Sequence, residues 1–237
     1  MTLPTINKPT FETKLPSTGE DITFRPFLVE EENILLHAKE SGERIDLIRA
    51  IKQVVQNCVT TPDFDANKMS TFDMEWMFVQ LRAKSINNIV EAIVMDEDDG
   101  IEYTIEVDLD KVTIVGDVKN NRVDLVEEQP IGVVMKFPTP AVSEKLKDVL
   151  ELHQVTYQLV KMCVKEVYDE ENVYPWDENT EQEKEKWLNS LSVQSYDKLR
   201  EYFINMPRMF YEDSYTNSEG TEKKVKFQTL DDFFSWD

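Results

Sequence analysis

The chain has 237 residues, 47 acidic against 26 basic, and a formal net charge of −21. Such an imbalance repels a phosphate backbone and an anionic bilayer alike. Nucleic acid and membrane are therefore excluded as partners, and another protein is the expected one. Hydrophobic residues make up 41% of the chain, enough for a core, and no apolar run approaches the roughly 20 residues that span a bilayer. No basic, apolar and small-residue succession opens the sequence, so the expectation is a soluble protein without a signal peptide, intracellular where it is made.

In chain order, residues 1–20 read as an extended N-terminal arm, because Pro4, Pro9 and Pro16 interrupt any helix. Residues 22–28 read as a short strand that Pro26 confines to a sheet edge. Ser41-Gly42 precedes a helix over about 43–59 with an apolar stripe of Ile48, Ile51, Val55 and Cys58. Ser70-Thr71-Phe72-Asp73 resembles a capping box, with Asp in place of Glu or Gln. It opens a helix through Trp76, Met77, Phe78 and Leu81 to near Ser85.

The middle of the chain turns to strands. Residues 89–95 form one, and the polar run Asp96-Glu97-Asp98-Asp99-Gly100 is a hairpin turn. Ile101, Tyr103, Ile105 and Val107 then alternate with Glu102, Thr104, Glu106 and Asp108, the pattern of a sheet with one wet face. Further strands are expected near 112–115, 123–126 and 133–137. Short turns between them predict an antiparallel meander over residues 88–137. Thr139-Pro140 starts a helix, and the spacing predicts one long helix over 141–168. It carries a narrow polar strip and apolar stripes that include Leu150, Tyr157, Val160 and Val164.

Residues 169–191 read as an acidic linker interrupted by Val173-Tyr174-Pro175-Trp176. A helix over about 194–205 and a hairpin from 210–215 to 224–228 form a C-terminal module over 192–237. The expected fold class is therefore α+β: a central meander, flanking helices, one long helix, and a helix-plus-hairpin module. The expected organisation is an arm (1–20), a main domain (21–168), a linker (169–191) and the module (192–237).

Catalytic signatures are sparse. His37 and His153 are the only histidines, and no Cys-x-x-Cys or His-x-x-x-His spacing suggests zinc. The glycines form neither a phosphate loop nor a dinucleotide fingerprint. His153 reads as a core or interface residue. Asp96–Asp99 lacks the ligand spacing of a calcium loop and reads as a solvated turn. Cys58 and Cys163 read as buried, unpaired thiols. No catalytic, cofactor or metal residue is assigned. The candidate partner-binding residues are Tyr196, Leu199, Phe203, Phe233, Phe234 and Trp236. These aromatic and apolar side chains either floor a groove that takes an amphipathic helix or pin the C-terminus onto the core.

Four short segments carry a family resemblance: Thr2-Leu3-Pro4-Thr5, Leu81-Arg82-Ala83-Lys84-Ser85 leading into a strand, Met206-Pro207, and Leu230-Asp231-Asp232-Phe233-Phe234. With them the chain resembles the baseplate hub assembly proteins of T4-like contractile-tailed bacteriophages. The resemblance implies an assembly role in the hub pathway, with a hub or tape-measure protein as partner, in the host cytoplasm. It leaves open whether the protein acts only as a chaperone or stays in the virion as a structural subunit. A carboxylate-based enzyme is the third alternative.

Overall fold

A computed structural model of the chain describes residues 6–127, 129–146, 149 and 151–234. In chain order the strands and helices are β1 (Phe11–Lys14), β2 (Asp21–Phe24), α1 (Val29–Ser41), α2 (Arg44–Cys58), α3 (Thr71–Ser85), β3 (Ile89–Met95), β4 (Glu102–Asp108), β5 (Thr113–Val115), β6 (Arg122–Asp124), β7 (Gly132–Met135), α4 (Pro140–Leu146), α5 (Leu152–Cys163), β8 (Val164–Tyr168), β9 (Val173–Pro175), α6 (Glu181–Asn189), α7 (Val193–Ile204), β10 (Arg208–Thr216), β11 (Glu222–Phe227) and α8 (Leu230–Phe233). Helices stand beside antiparallel sheets, so the α+β class holds. The chain forms two units: one from residues up to Val115 together with those from Arg208 onward, the other from Gly116–Pro207.

The first unit is built on α2 and α3. Ile51, Val54, Val55 and Cys58 of α2 meet Met74, Met77, Phe78 and Leu81 of α3 in one apolar core. The expected extended arm is corrected over its described part. β1 folds back on β2, pairing Phe11 with Phe24 and Lys14 with Asp21. The turn closes because Gly19 adopts a φ of 74°, where side chains are disfavoured. α3 then anchors this hairpin. The carboxylate of Asp73 is buried and accepts from the Ser17 backbone N–H at 2.9 Å, from the Ser70 hydroxyl at 2.6 Å, and from the Ser17 hydroxyl. Asp73 thus takes half of the expected capping box, receiving its own N–H cap from Ser70 at 3.2 Å, and spends its carboxylate on the hairpin.

α1 has no counterpart among the expected elements. Its apolar residues form no clean stripe: Leu36 is exposed while Ile34 and Leu35 are half-buried. A buried ion pair holds its start instead. Glu31 accepts two guanidinium bonds from Arg25, at 2.8 and 3.1 Å, and the Leu28 N–H at 2.9 Å. The Arg25 hydrogen bonds hold its carboxyl below the usual range against the opposing effect of burial.

The central meander is a second correction. β3 and β4 form the expected hairpin, with Ile89 opposite Asp108 through Met95 opposite Glu102. β5 instead pairs with β10, Ile114 opposite Met209, so the sheet β11-β10-β5 joins distant parts of the sequence. β6 and β7 belong to the second unit, in the sheet β6-β7-β8-β9. Short turn signals predict which strands exist but not which strand each one meets.

The long helix is the third correction. Residues 140–146 and 152–163 are helical, but α5 ends at Cys163, and Val164 enters β8 with φ −67° and ψ 131°. The Val-rich run 164–168 carries a helical repeat, yet its β-branched residues also suit a strand, and pairing with β7 decides the outcome. Val160 and Val164 are buried and Tyr157 half-buried, while Leu150 lies outside the described residues.

The expected linker is likewise part of the second unit. Trp176 is buried, its indole N–H donating to the Lys161 carbonyl at 2.8 Å, and its ring meets Trp187 at 5.6 Å. Thr180 and Glu183 make a full capping box at the start of α6. Glu181 and Glu185 reach Lys161 at 3.0 and 2.9 Å, which absorbs part of the acidity that made the stretch look solvated. The module expected over 192–237 is divided for the same reason: α7 packs in the second unit, and β10, β11 and α8 in the first.

Candidate functional site

The described candidate partner-binding residues are divided between the two units. Tyr196, Leu199 and Phe203 lie on α7 in the second unit. Leu199 is fully buried in that unit's core, with Tyr196 and Phe203 packed partly against it. Phe233 is fully buried in the first unit, its ring 5.8 Å from Phe227, and Phe234 packs edge-on against Phe78 at 5.5 Å. Trp236 lies outside the described residues. Leu199 and Phe233 thus pack within the chain, and Tyr196 is the candidate that faces an open concavity.

That concavity, about 530 Å³, lies between α4, α5 and α7. Tyr157 of α5 and Tyr196 of α7 form its aromatic wall, with ring centroids 6.5 Å apart, and Leu146 and Met162 add apolar surface. The geometry follows from the sequence. Tyr157, Gln158 and Met162 recur at helical spacing on one flank of α5, and Tyr196 and Arg200 stand four residues apart on α7. Burial raises both tyrosine hydroxyls above their ordinary titration range. Tyr157 donates to Asn189 at 3.4 Å.

Among the described residues the lining includes the basic side chains of Lys145, His153 and Arg200 and no Asp or Glu. The Arg200 guanidinium stands 4.8 Å from the Tyr196 ring centroid and 2.8 Å from Asp197. His153 is exposed, 3.3 Å from Glu151, which removes the core half of its reading as a core or interface residue. The arrangement suits an apolar side chain on the tyrosines with an acidic group near the basic rim. Tyr157, Lys145 and Arg200 were missed in the sequence because facing residues on separate helices are joined only by folding.

Asp96–Asp99 turns out to be a packed junction within the first unit. Asp96 accepts from the N–H groups of Asp98 and Asp99, at 2.8 and 3.3 Å, and from the Tyr215 hydroxyl at 2.8 Å. Asp99 accepts from Tyr103 and Ser218 hydroxyls, both at 2.7 Å, and Lys223 pairs with Asp98. Burial raises the Asp99 carboxyl, but these hydroxyl and backbone bonds outweigh it and hold the group well below the carboxylate range. These carboxylates tie the β3–β4 tip to the β10–β11 tip. No group of three or more His, Cys, Asp or Glu side chains among the described residues is placed to hold a metal ion.

Cys58 and Cys163 are buried free thiols, each pushed up to about 12 by burial. Among the described residues no helix is long and apolar enough to cross a membrane.

Comparison with known proteins adds the family. Residues 8–235 match the family model described as T4 bacteriophage base plate protein. Neither the curated proteins nor the solved structures returned a match. The match covers nearly the whole chain, both units included, and the chain therefore belongs to the T4 bacteriophage base plate protein family.

Proposed function

We propose that the protein is a non-enzymatic tail-assembly factor that binds a baseplate hub or tape-measure protein during construction of the hub. The supporting observation is the concavity beside α7: an aromatic wall of Tyr157 and Tyr196 with a basic rim of Lys145, His153 and Arg200. An amphipathic helix bearing an acidic residue beside its apolar face suits such a groove. Tyr196→Ala should leave the fold intact and weaken binding of the purified hub or tape-measure protein by about 2 kcal/mol or more, as measured by calorimetry. Unchanged affinity would sink the groove.

The description of the family as base plate protein favours a second reading, a structural subunit retained in the particle. Mass spectrometry of purified virions separates the two. Absence from the virion supports the assembly factor, and stoichiometric presence supports the subunit.

A further inference from the structure

The hairpin β3–β4 presents a second surface, in the first unit. Its inward residues Val90, Ala92, Ile105 and Val107 are buried in the core, which holds the hairpin as a firm platform. Among the described residues these strands pair only with each other. On the outward face Ile93 is 59% exposed and Met95 61%. These apolar side chains lie next to one another on a single short hairpin rather than scattered over the surface.

The charges on the same face run against local stability. Glu91 stands directly opposite Glu106, and Glu102 opposite Met95. Like charges directly opposed across a pair of strands are destabilising. Glu91, Glu102 and Glu106 have no ion-pair partner among the described residues. The hairpin therefore carries two unfavourable features that nothing in the described chain offsets: apolar side chains facing water and an opposed pair of carboxylates, Glu91 with Glu106.

We propose that this outward face is a docking surface for a basic amphipathic segment of a neighbouring baseplate protein. Apolar side chains of that segment cover Ile93 and Met95, and its lysines or arginines lie over Glu91, Glu102 and Glu106. A second copy of this chain is the wrong occupant, because it carries the same net charge of −21 and sets carboxylates against carboxylates. The proposal rests on the reading that the chain works through contacts with other baseplate proteins.

The test is site-specific photo-crosslinking in infected cells, with p-benzoylphenylalanine replacing Ile93 in one strain and Tyr196 in another. The expected result at position 93 is an adduct to another baseplate protein whose linked peptide holds at least two basic residues beside apolar ones. An adduct to a second copy or to an acidic segment overturns the proposal. So does failure at position 93 while position 196 gives an adduct, which leaves the assembly role standing. Failure at both positions overturns the two together. Glu91→Lys combined with Glu106→Lys should lower the position-93 yield at least tenfold, and an unchanged yield also overturns the charge assignment. Glu91→Gln with Glu106→Gln guards against misfolding: it relieves repulsion, so its thermal midpoint should be unchanged or higher while the yield still falls.

Discussion

At the scale of single residues, stability rests on a few polar groups that the core encloses. Asp73 receives three donors from two segments far apart in sequence. Removing its carboxylate strands the Ser17 N–H and both hydroxyls. Asp73→Ala should cost about 3 kcal/mol in urea unfolding; a loss below about 0.5 kcal/mol would show that the hairpin is held by its apolar contacts alone. Glu75 behaves in the opposite sense. Burial pushes its carboxyl up to about 7, with Arg44 drawing it down and Asp231 raising it further. Between about pH 4.5 and 7 the folded chain keeps a proton that the unfolded chain has released, so this group's contribution to stability falls as pH rises through that window. The cost at pH 8 is at most about 3 kcal/mol. Glu75→Gln should therefore be the more stable form at pH 8, with the difference vanishing below about pH 4. A difference that does not change with pH would refute the assignment.

At the scale of elements, helices with local end signals and the hairpins β3–β4 and β10–β11 were legible, and the pairings between strands distant in sequence were not. The stripe on α2 and the Ser70 cap on α3 are local signals, and both helices fall where those signals place them. The β3–β4 hairpin was equally plain, because alternation and an Asp-Gly turn agree. The run through 152–168 carried a helical repeat into a segment that folds as β8. One glycine shows how closely that strand depends on its neighbours. Gly132 of β7 leaves room for the Tyr168 side chain to cross and donate to Asp124 at 2.5 Å, with the Arg122 guanidinium 4.1 Å from its ring centroid. A Cβ at Gly132 would stand 2.2 Å from the Tyr168 hydroxyl oxygen. Gly132→Ala should cost about 2 kcal/mol. The same Cβ would also stand 2.6 Å from the Val123 carbonyl oxygen, so the change on a Tyr168→Ala background should cost less but keep part of its penalty, and an equal cost in both backgrounds would place the strain in that backbone contact.

At the scale of the whole molecule, the net charge of −21 acts as self-repulsion that the folded state must tolerate. Raising salt from about 0.01 M to about 0.5 M shortens the Debye length from about 30 Å to below about 5 Å. The thermal midpoint should rise across that range. A fall would mean that surface ion pairs such as Lys161 with Glu181 and Glu185 outweigh the repulsion. The charge also frames the two proposed surfaces, one a basic-rimmed groove and the other an acidic apolar face, which suit partners of opposite character.

The sequence by itself determined the α+β class and the elements whose apolar period and end signals lie within about fifteen residues of each other. Those features depend on local backbone preference and on solvation, which act residue by residue. Only the tertiary structure decided that β5 pairs with β10, that residues 116–207 form a unit inserted between the two segments of the other, and that Leu199 and Phe233 belong to different cores. It also decided that Tyr157 and Tyr196 share one wall of a groove. Each of these joins residues far apart along the chain. Such contacts form only where burial offsets the entropy of closing the long loop between them, a balance that no local pattern records.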